Sequence, residues 1–204
     1  MALASLVWSS GSIPMSDRAK MIVTEAGDVV GTIGGGCLEA EVLSAGRTVL
    51  ESGENQLLRY TMTEKQAGES GLNCGGTVRI YTQLIDPAQS NDLYDEVLEA
   101  RKMRKGGVLV TLLRRRFDPT GGQVWIGMDG VRSGSLGTRE ADREIEQSVS
   151  EVIKRERGQV LGLKKDRPVF IGQAFGEDPE VFMEPFLPEP VLYVFGGGHV
   201  GGQI

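Results

Sequence analysis

The sequence of 204 residues predicts an α/β protein whose main domain is built around a mixed sheet. Short apolar runs, bounded by glycine, proline and polar turns, recur along the chain as expected of strands. Three longer segments place apolar residues at helical spacing. Because strands and helices do not alternate cleanly, the pattern favours a mixed sheet over a fully parallel one.

Composition and charge limit the classes of protein to which the chain can belong. Its 40% hydrophobic and 25% charged residues are typical of an ordinary globular protein. No apolar run approaches the ~18 residues of a membrane span, and no signal peptide is recognisable, so we expect a cytoplasmic protein without a membrane partner. The net charge of −6 argues against sequence-independent nucleic-acid binding. Cys37, Cys74 and His199 are too few to supply a structural zinc site with four such ligands.

The N-terminal half is expected to form a hairpin, a helix and three further strands. Apolar spacing from Leu38 to Leu50 predicts the helix, and Gly53 fits its end. Ala26-Gly27-Asp28 is typical of a hairpin turn. Strands are expected at Leu3–Trp8, Met21–Thr24, Val29–Ile33, Leu57–Met62 and Thr77–Thr82, with a loop over Thr63–Leu72.

The C-terminal half is expected to contain two helices and several strands. The helices are predicted at Asn91–Lys105 and Arg139–Arg157. The first ends in four positive charges, which the helix dipole and a solvated face suffice to explain. Strands are expected at Val108–Leu113, Val160–Leu163, Val169–Gln173 and Val181–Phe186, and a hairpin from Gln123 around Asp129-Gly130.

Three consecutive glycines join the hairpin to the first helix. Gly34, Gly35 and Gly36 are followed by Cys37 and Glu39 at the helix start. Free main-chain N–H groups at a helix start form an anion cradle, and a thiol there is well placed for chemistry. The alternative interpretation is a tight turn beside a buried cysteine.

A second glycine-rich segment has the reverse arrangement. Cys74, Gly75 and Gly76 come immediately before a predicted strand. Two cysteine–glycine loops in one small domain indicate a shared pocket. The alternative is that both are strained turns that pack on each other.

The last residues predict the start of a Rossmann-like domain. A proline-rich linker begins at Pro188, and an apolar strand is expected at Val191–Phe195. Gly196, Gly198 and Gly201 then fit the G-x-G-x-x-G pattern of dinucleotide binding, with His199 either a ligand contact or a packing residue. A dinucleotide-dependent oxidoreductase using Gly196–Gly201 is therefore an alternative function. Since the chain stops inside this motif, we expect a fragment of a longer protein.

The ordered set of motifs resembles the XdhC/CoxI family of molybdenum hydroxylase accessory proteins. The motifs that carry the resemblance are Gly11-Ser12-x-Pro14, Ala19-Lys20-Met21, Gly31 to Glu39, Cys74-Gly75-Gly76 and Phe195 to Val200. Members often have arginine and glycine where this chain has Met15 and Arg18. The resemblance implies an XdhC/CoxI domain over 1–187 and a linker with the start of a Rossmann-like domain over 188–204.

The resemblance also implies a function. Such proteins bind molybdenum cofactor (molybdopterin), support its sulfuration with a cysteine desulfurase, and deliver it to an apo molybdenum hydroxylase such as xanthine dehydrogenase, without being enzymes themselves. The oligomeric state is left open, a homodimer being one alternative. Cys37 and Cys74 become candidate molybdenum ligands, and Glu39 is expected either to hold a pterin amide or to cap its own helix. The expected cofactor-binding residues are Gly34, Gly35, Gly36, Cys37, Glu39, Cys74, Gly75, Gly76, Gly196, Gly198 and His199.

Overall fold

The computed structural model describes residues 1–13, 15–62, 75–114, 122–164, 167–170, 179–191, 193 and 195, with the backbone alone for 87–91, 164 and 167–170. The strands are β1 (Ala2–Ser10), β2 (Lys20–Val23), β3 (Val29–Thr32), β4 (Gln56–Thr61), β5 (Thr77–Leu84), β6 (Gly107–Leu113), β7 (Gln123–Gly127), β8 (Arg132–Ser135), β9 (Gln159–Lys164), β10 (Arg167–Phe170) and β11 (Glu180–Phe186). The helices are α1 (Gly36–Ser52), α2 (Pro87–Lys102) and α3 (Arg139–Arg155).

The strands form two sheets, one with the order β3-β2-β1-β5-β4 and one with the order β10-β9-β11-β6-β7-β8. The α/β class is confirmed. Within the described residues every strand pairing is antiparallel, which refines the expected mixed sheet into two antiparallel ones. Helix α1 connects β3 and β4 at opposite edges of the first sheet, so these two strands run in the same direction without pairing.

Helix α1 covers one face of the first sheet. Its Val42 and Val49 are fully buried against Val78 and Ile80 of β5. The helix ends at Gly53, whose φ of 71° is the left-handed conformation that favours glycine at this position. Apolar periodicity and the glycine stop therefore located this helix correctly.

The second sheet packs on the other face of the first. Phe182 of β11 lies in a small core with Val7 and Tyr81. The residues two positions on either side, Glu180 and Glu184, face the same way and contact the first sheet through ion pairs. One strand thus supplies both apolar and charged contacts between the sheets.

Helices α3 and α2 cover opposite faces of the second sheet. Ile145 and Val152 of α3 are fully buried with Val110 of β6. On the other face, Val97 of α2 packs with Trp125, which is 1% exposed. In the part of the chain that is described, none of the helices is long and apolar enough to cross a membrane.

Two sequence predictions have a different outcome. Val191, Tyr193 and Phe195 belong to no strand and are 46%, 73% and 94% exposed, so the strand predicted there is not confirmed. An apolar strand needs cover on both faces, and the described elements give these three side chains none. The loop expected over Thr63–Leu72 lies outside the described residues.

Tyr94 of α2 makes stability depend on alkaline pH. Its hydroxyl donates to Gln123 Oε1 at 3.0 Å, and burial, only partly offset by that bond, raises the pKa of Tyr94 to about 12. The unfolded chain ionises near pH 10, so the contribution of Tyr94 is complete below pH 10 and is lost as the pH rises to 12. We expect the free energy of unfolding to fall by about 2 kcal/mol more in the parent than in Tyr94→Phe between pH 9 and 12.

Urea denaturation of both proteins at each pH measures this difference. The phenylalanine variant keeps the ring in the apolar contact with the sheet but has no proton to lose. Equal losses of stability in the two proteins would contradict the assignment of this pH dependence to Tyr94.

Candidate functional site

Three loops leave the first sheet at one edge. The register pairs Ser10, the last residue of β1, with Thr77, the first of β5. It also pairs Lys20, the first residue of β2, with Thr32, the last of β3. The described residues 11–13, 15–19, 33–35, 62 and 75–76 therefore lie next to this edge, which we call the loop edge. The topology thus gives the two glycine-rich segments a common location.

The first glycine-rich segment requires glycine for backbone conformation. Gly34, Gly35 and Gly36 have φ angles of 120°, 76° and 65°, which residues with a Cβ rarely adopt. Gly35 is the N-cap of α1 and provides no side-chain cap. A Cβ added at Gly35 or Gly36 would meet no atom within 4 Å. The start of α1 therefore combines open space with N–H groups that no side chain caps, and whether they bind an anion stays a prediction.

Cys37 lies in the first turn of α1 with an exposed, free thiol. The alternative of a turn beside a buried cysteine is therefore wrong in its second half, because the turn exists but the thiol faces outward. An exposed thiol beside open glycines is accessible to a ligand or to a second protein.

Glu39 holds the loop in place. Its Oε1 accepts a hydrogen bond from Thr32 Oγ1 at 2.6 Å and from the Ile33 N–H at 3.4 Å. Thr32 Oγ1 in turn accepts from the Gly34 N–H at 3.2 Å. Two roles were expected for Glu39, and the contacts observed are closer to helix capping than to ligand binding. The Glu39 carboxylate joins the first turn of α1 to the end of β3.

The loop that follows β1 contacts both glycine-rich segments. Met15 packs against Gly34, where its Cε would lie 2.6 Å from an added Cβ. Gly11, with φ of 78°, lies so close to Gly76 that an added Cβ would be 3.0 Å from the Gly76 Cα. The described residues of this loop therefore connect Gly34–Cys37 to Gly75–Gly76, as the predicted shared pocket requires.

Gly75 and Gly76 are glycine for different reasons. A Cβ at Gly76 would lie 2.7 Å from the Ser12 carbonyl oxygen and 2.9 Å from that of Ser10. A Cβ at Gly75 would meet nothing within 4 Å, and no strained φ requires glycine there. Packing explains Gly76, whereas Gly75 leaves space into which a ligand could approach the backbone.

The other predicted site residues cannot be placed. Cys74, Gly196, Gly198 and His199 lie outside the described residues, and with them the motif on which the oxidoreductase alternative depends. Among the residues that are described, no group of three or more His, Cys, Asp or Glu side chains could hold a metal ion.

Sequence reasoning missed the part played by Met15. In the sequence Met15 stands out only as a departure from the family pattern. In the structure it packs directly against the glycine loop. An apolar residue in an otherwise polar turn was the signal that could have identified it.

Three comparisons relate the chain to known proteins. Residues 1–61 match the model of the XdhC and CoxI family, which confirms the predicted resemblance over that segment. The uncharacterized protein YqeB of Escherichia coli K12 is 35% identical over 80 residues, 39% of this chain and 15% of YqeB. The crystal structure of a xanthine dehydrogenase from Bacillus halodurans superposes with a TM-score of 0.62 and 16% identity over 92% of this chain and 48% of that one. The chain thus matches less than half the length of each, and the structural likeness shows a shared fold.

Proposed function

We propose that this chain, whose residues 1–61 match the model of the XdhC and CoxI family, is a non-catalytic accessory protein that binds molybdenum cofactor and delivers it to a molybdenum hydroxylase. The family match supports the broader statement, a role associated with molybdenum enzymes. The finer proposal depends on the loop edge. Support of cofactor sulfuration, with a cysteine desulfurase as partner, is part of the same proposal.

The observation that carries the proposal is the exposed Cys37 thiol on an open glycine loop. The cofactor combines an anionic phosphate with a thiophilic metal, so its site needs N–H donors and a soft ligand. Gly35 and Gly36 leave the N–H groups of the α1 N-terminus uncovered, and Cys37 follows directly. The residues at this edge therefore fit the chemistry of the group.

The individual residues have separate tasks in this proposal. The N-terminal N–H groups of α1 bind the phosphate with help from the helix dipole. The thiol of Cys37 is a transient ligand, which suits a protein that must release its cargo. Glu39 and Met15 act as positioning residues, since they hold the loop rather than face open space. The cofactor itself supplies oxidation–reduction chemistry only in the enzyme that receives it.

The proposal is tested by purifying the protein from cells that make molybdenum cofactor. Bound cofactor is measured as the fluorescent pterin that acid oxidation releases. We expect Cys37→Ala to retain about tenfold less cofactor than the parent, the effect of losing one good ligand contact. Its melting temperature should not change, because the side chain is exposed.

Ser44→Ala is the matched control, because Ser44 is an exposed residue of comparable size on the same helix. It should retain as much cofactor as the parent. Equal retention by Cys37→Ala and Ser44→Ala would remove the thiol from the proposal. Absence of the fluorescent pterin from the parent itself would contradict cofactor binding altogether.

A further inference from the structure

A cavity of about 590 Å³ opens between the end of β11, the C-terminal end of α2 and the start of β2. Its volume lies within the roughly 300–1,000 Å³ usual for small-molecule sites. Six of the residues that line it are basic: Arg18, Lys20, Arg101, Lys102, Arg104 and Lys105. Two carboxylates, Glu184 and Glu189, line it as well. We call this cavity the basic pocket.

Ion pairs do not neutralise all of this charge. Four of the six cations have a carboxylate partner: Lys20 pairs with Glu184 at 2.8 Å, Arg101 with Glu189 at 3.6 Å, Lys102 with Glu99 at 2.6 Å and Lys105 with Asp129 at 2.9 Å. Arg18 and Arg104, by contrast, donate to the main-chain oxygens of Glu156 at 3.1 Å and Glu189 at 3.3 Å. A carbonyl oxygen carries no net charge, so both guanidinium groups keep their full positive charge at the pocket.

The dipole of α2 explains only part of the cluster. Cations at a helix C-terminus are favourable, which accounts for basic residues at Arg101 and beyond. Arg18 and Lys20 come from the first sheet and its loop, far away in the sequence. Two elements that converge with the same sign of charge repel each other unless an anion lies between them. Carboxylates supply that anion for four of the cations, so the guanidinium groups of Arg18 and Arg104 are the positive charges left to attract an anionic ligand.

Arg104 occupies a position at the end of α2 where glycine is usual. It has a φ of 56°, a left-handed conformation that usually belongs to glycine after a helix end. The Lys105 N–H donates to Ala100 O at 2.8 Å, so this is a regular helix end in which arginine occupies the glycine position. Glu156 has a similar φ of 52° without lining the pocket, so what distinguishes Arg104 is that its side chain lines the basic pocket together with that of Arg18.

The wall beneath the cations is apolar. Phe186 and Leu187 line it with half-buried side chains, and Phe186 meets the ring of the buried Trp125 edge to face at a centroid distance of 5.9 Å. Charged donors at the rim and an apolar wall below are the combination that binds a phosphate attached to a ring. We infer that the basic pocket binds a small molecule carrying a phosphate or diphosphate group linked to an aromatic or apolar ring. This site uses none of the residues assigned to cofactor retention at the loop edge.

Titration calorimetry with adenosine diphosphate and with inorganic pyrophosphate tests the inference on the full chain. We expect adenosine diphosphate to bind, and pyrophosphate to bind more weakly because it has no ring. Arg18→Gln and Arg104→Gly should each weaken binding of adenosine diphosphate about tenfold, the effect of losing one charge-assisted contact. Arg47→Gln removes an exposed charge on α1 and should leave binding unchanged.

Thermal unfolding separates function from stability at Arg104. Arg104→Gly should raise the melting temperature while it weakens binding, because it relieves strain and removes a ligand contact. Glu156→Gly is the matched control, since Glu156 also ends a helix with a positive φ, of 52°, but lies outside the lining of the pocket. It should raise the melting temperature and leave binding unchanged.

Three results would overturn the inference. These are absence of binding by both probes, equal weakening by Arg47→Gln and Arg104→Gly, and unchanged binding in Arg18→Gln together with Arg104→Gly. Equal affinity for the two probes would overturn the assigned ring contact. None of these results alters cofactor retention by Cys37, so failure here is distinguishable from failure of the proposed function.

Discussion

Replacing Arg79 with methionine is expected to lower the free energy of unfolding by about 3–5 kcal/mol. Arg79 Nη2 lies 2.8 Å from Glu180 Oε2, and the two side chains are 4% and 7% exposed. Burial lowers the pKa of Arg79, and the hydrogen bond to Glu180 opposes that shift. Arg79→Met leaves the Glu180 carboxylate buried between the sheets without its cation, which is more costly than the loss of the attraction itself.

The double variant Arg79→Met with Glu180→Leu is expected to regain most of this loss. It replaces both charges with apolar side chains of similar size, and such replacements of buried pairs are often neutral. Urea denaturation of the parent, both single variants and the double variant gives the coupling energy. A double variant no more stable than Arg79→Met would show that packing of the arginine stem, rather than the orphaned carboxylate, causes the loss.

Gly76→Ala is expected to lower the free energy of unfolding by about 3 kcal/mol, at the upper end of overpacking costs. The added Cβ would lie within 2.9 Å of two carbonyl oxygens of the β1 end and its loop. Backbone atoms cannot rotate away as a side chain can, so the loop over 10–13 must move. That movement would also displace the loop from the glycine-rich segments that it connects.

Gly75→Ala is the matched control for this change. The same methyl group is added one residue earlier, where nothing lies within 4 Å. Its melting temperature should equal that of the parent, whereas Gly76→Ala should melt at a distinctly lower temperature in the same calorimetric scan. Equal melting temperatures in the two variants would contradict the packing described for Gly76.

The helices, strands and turns were predicted well because the residues that define each of them are neighbours in the sequence. The Ala26-Gly27-Asp28 turn pairs β2 with β3 as expected, and Gly53 ends α1. The arrangement of the strands in two sheets was beyond such reasoning. It depends on contacts such as that between Arg79 and Glu180, which are separated by 101 positions in the sequence, and neither residue stands out within its own strand.

The candidate site was predictable in part for the same reason. Consecutive glycines before a helix indicate a tight turn in the sequence itself, and Gly34 and Gly35 form the turn that leads into α1, with Cys37 in its first turn. The role of Met15 and the convergence of Arg18 with the end of α2 arise from tertiary packing. The basic end of α2 is visible in the sequence. The opposite wall of the basic pocket, which contains Arg18, forms only when the chain folds.

The segment after β1 is held at several points by contacts already present in the free protein. Gly11 abuts Gly76, Met15 abuts Gly34, and Asp17 pairs with Arg157 at 3.5 Å. Ordering a free loop on binding costs about 1–2 kcal/mol of backbone entropy for each residue fixed. The described residues of this segment have already lost most of that freedom on folding. The loop edge is therefore preorganised, and a ligand that binds there keeps more of its contact energy as affinity.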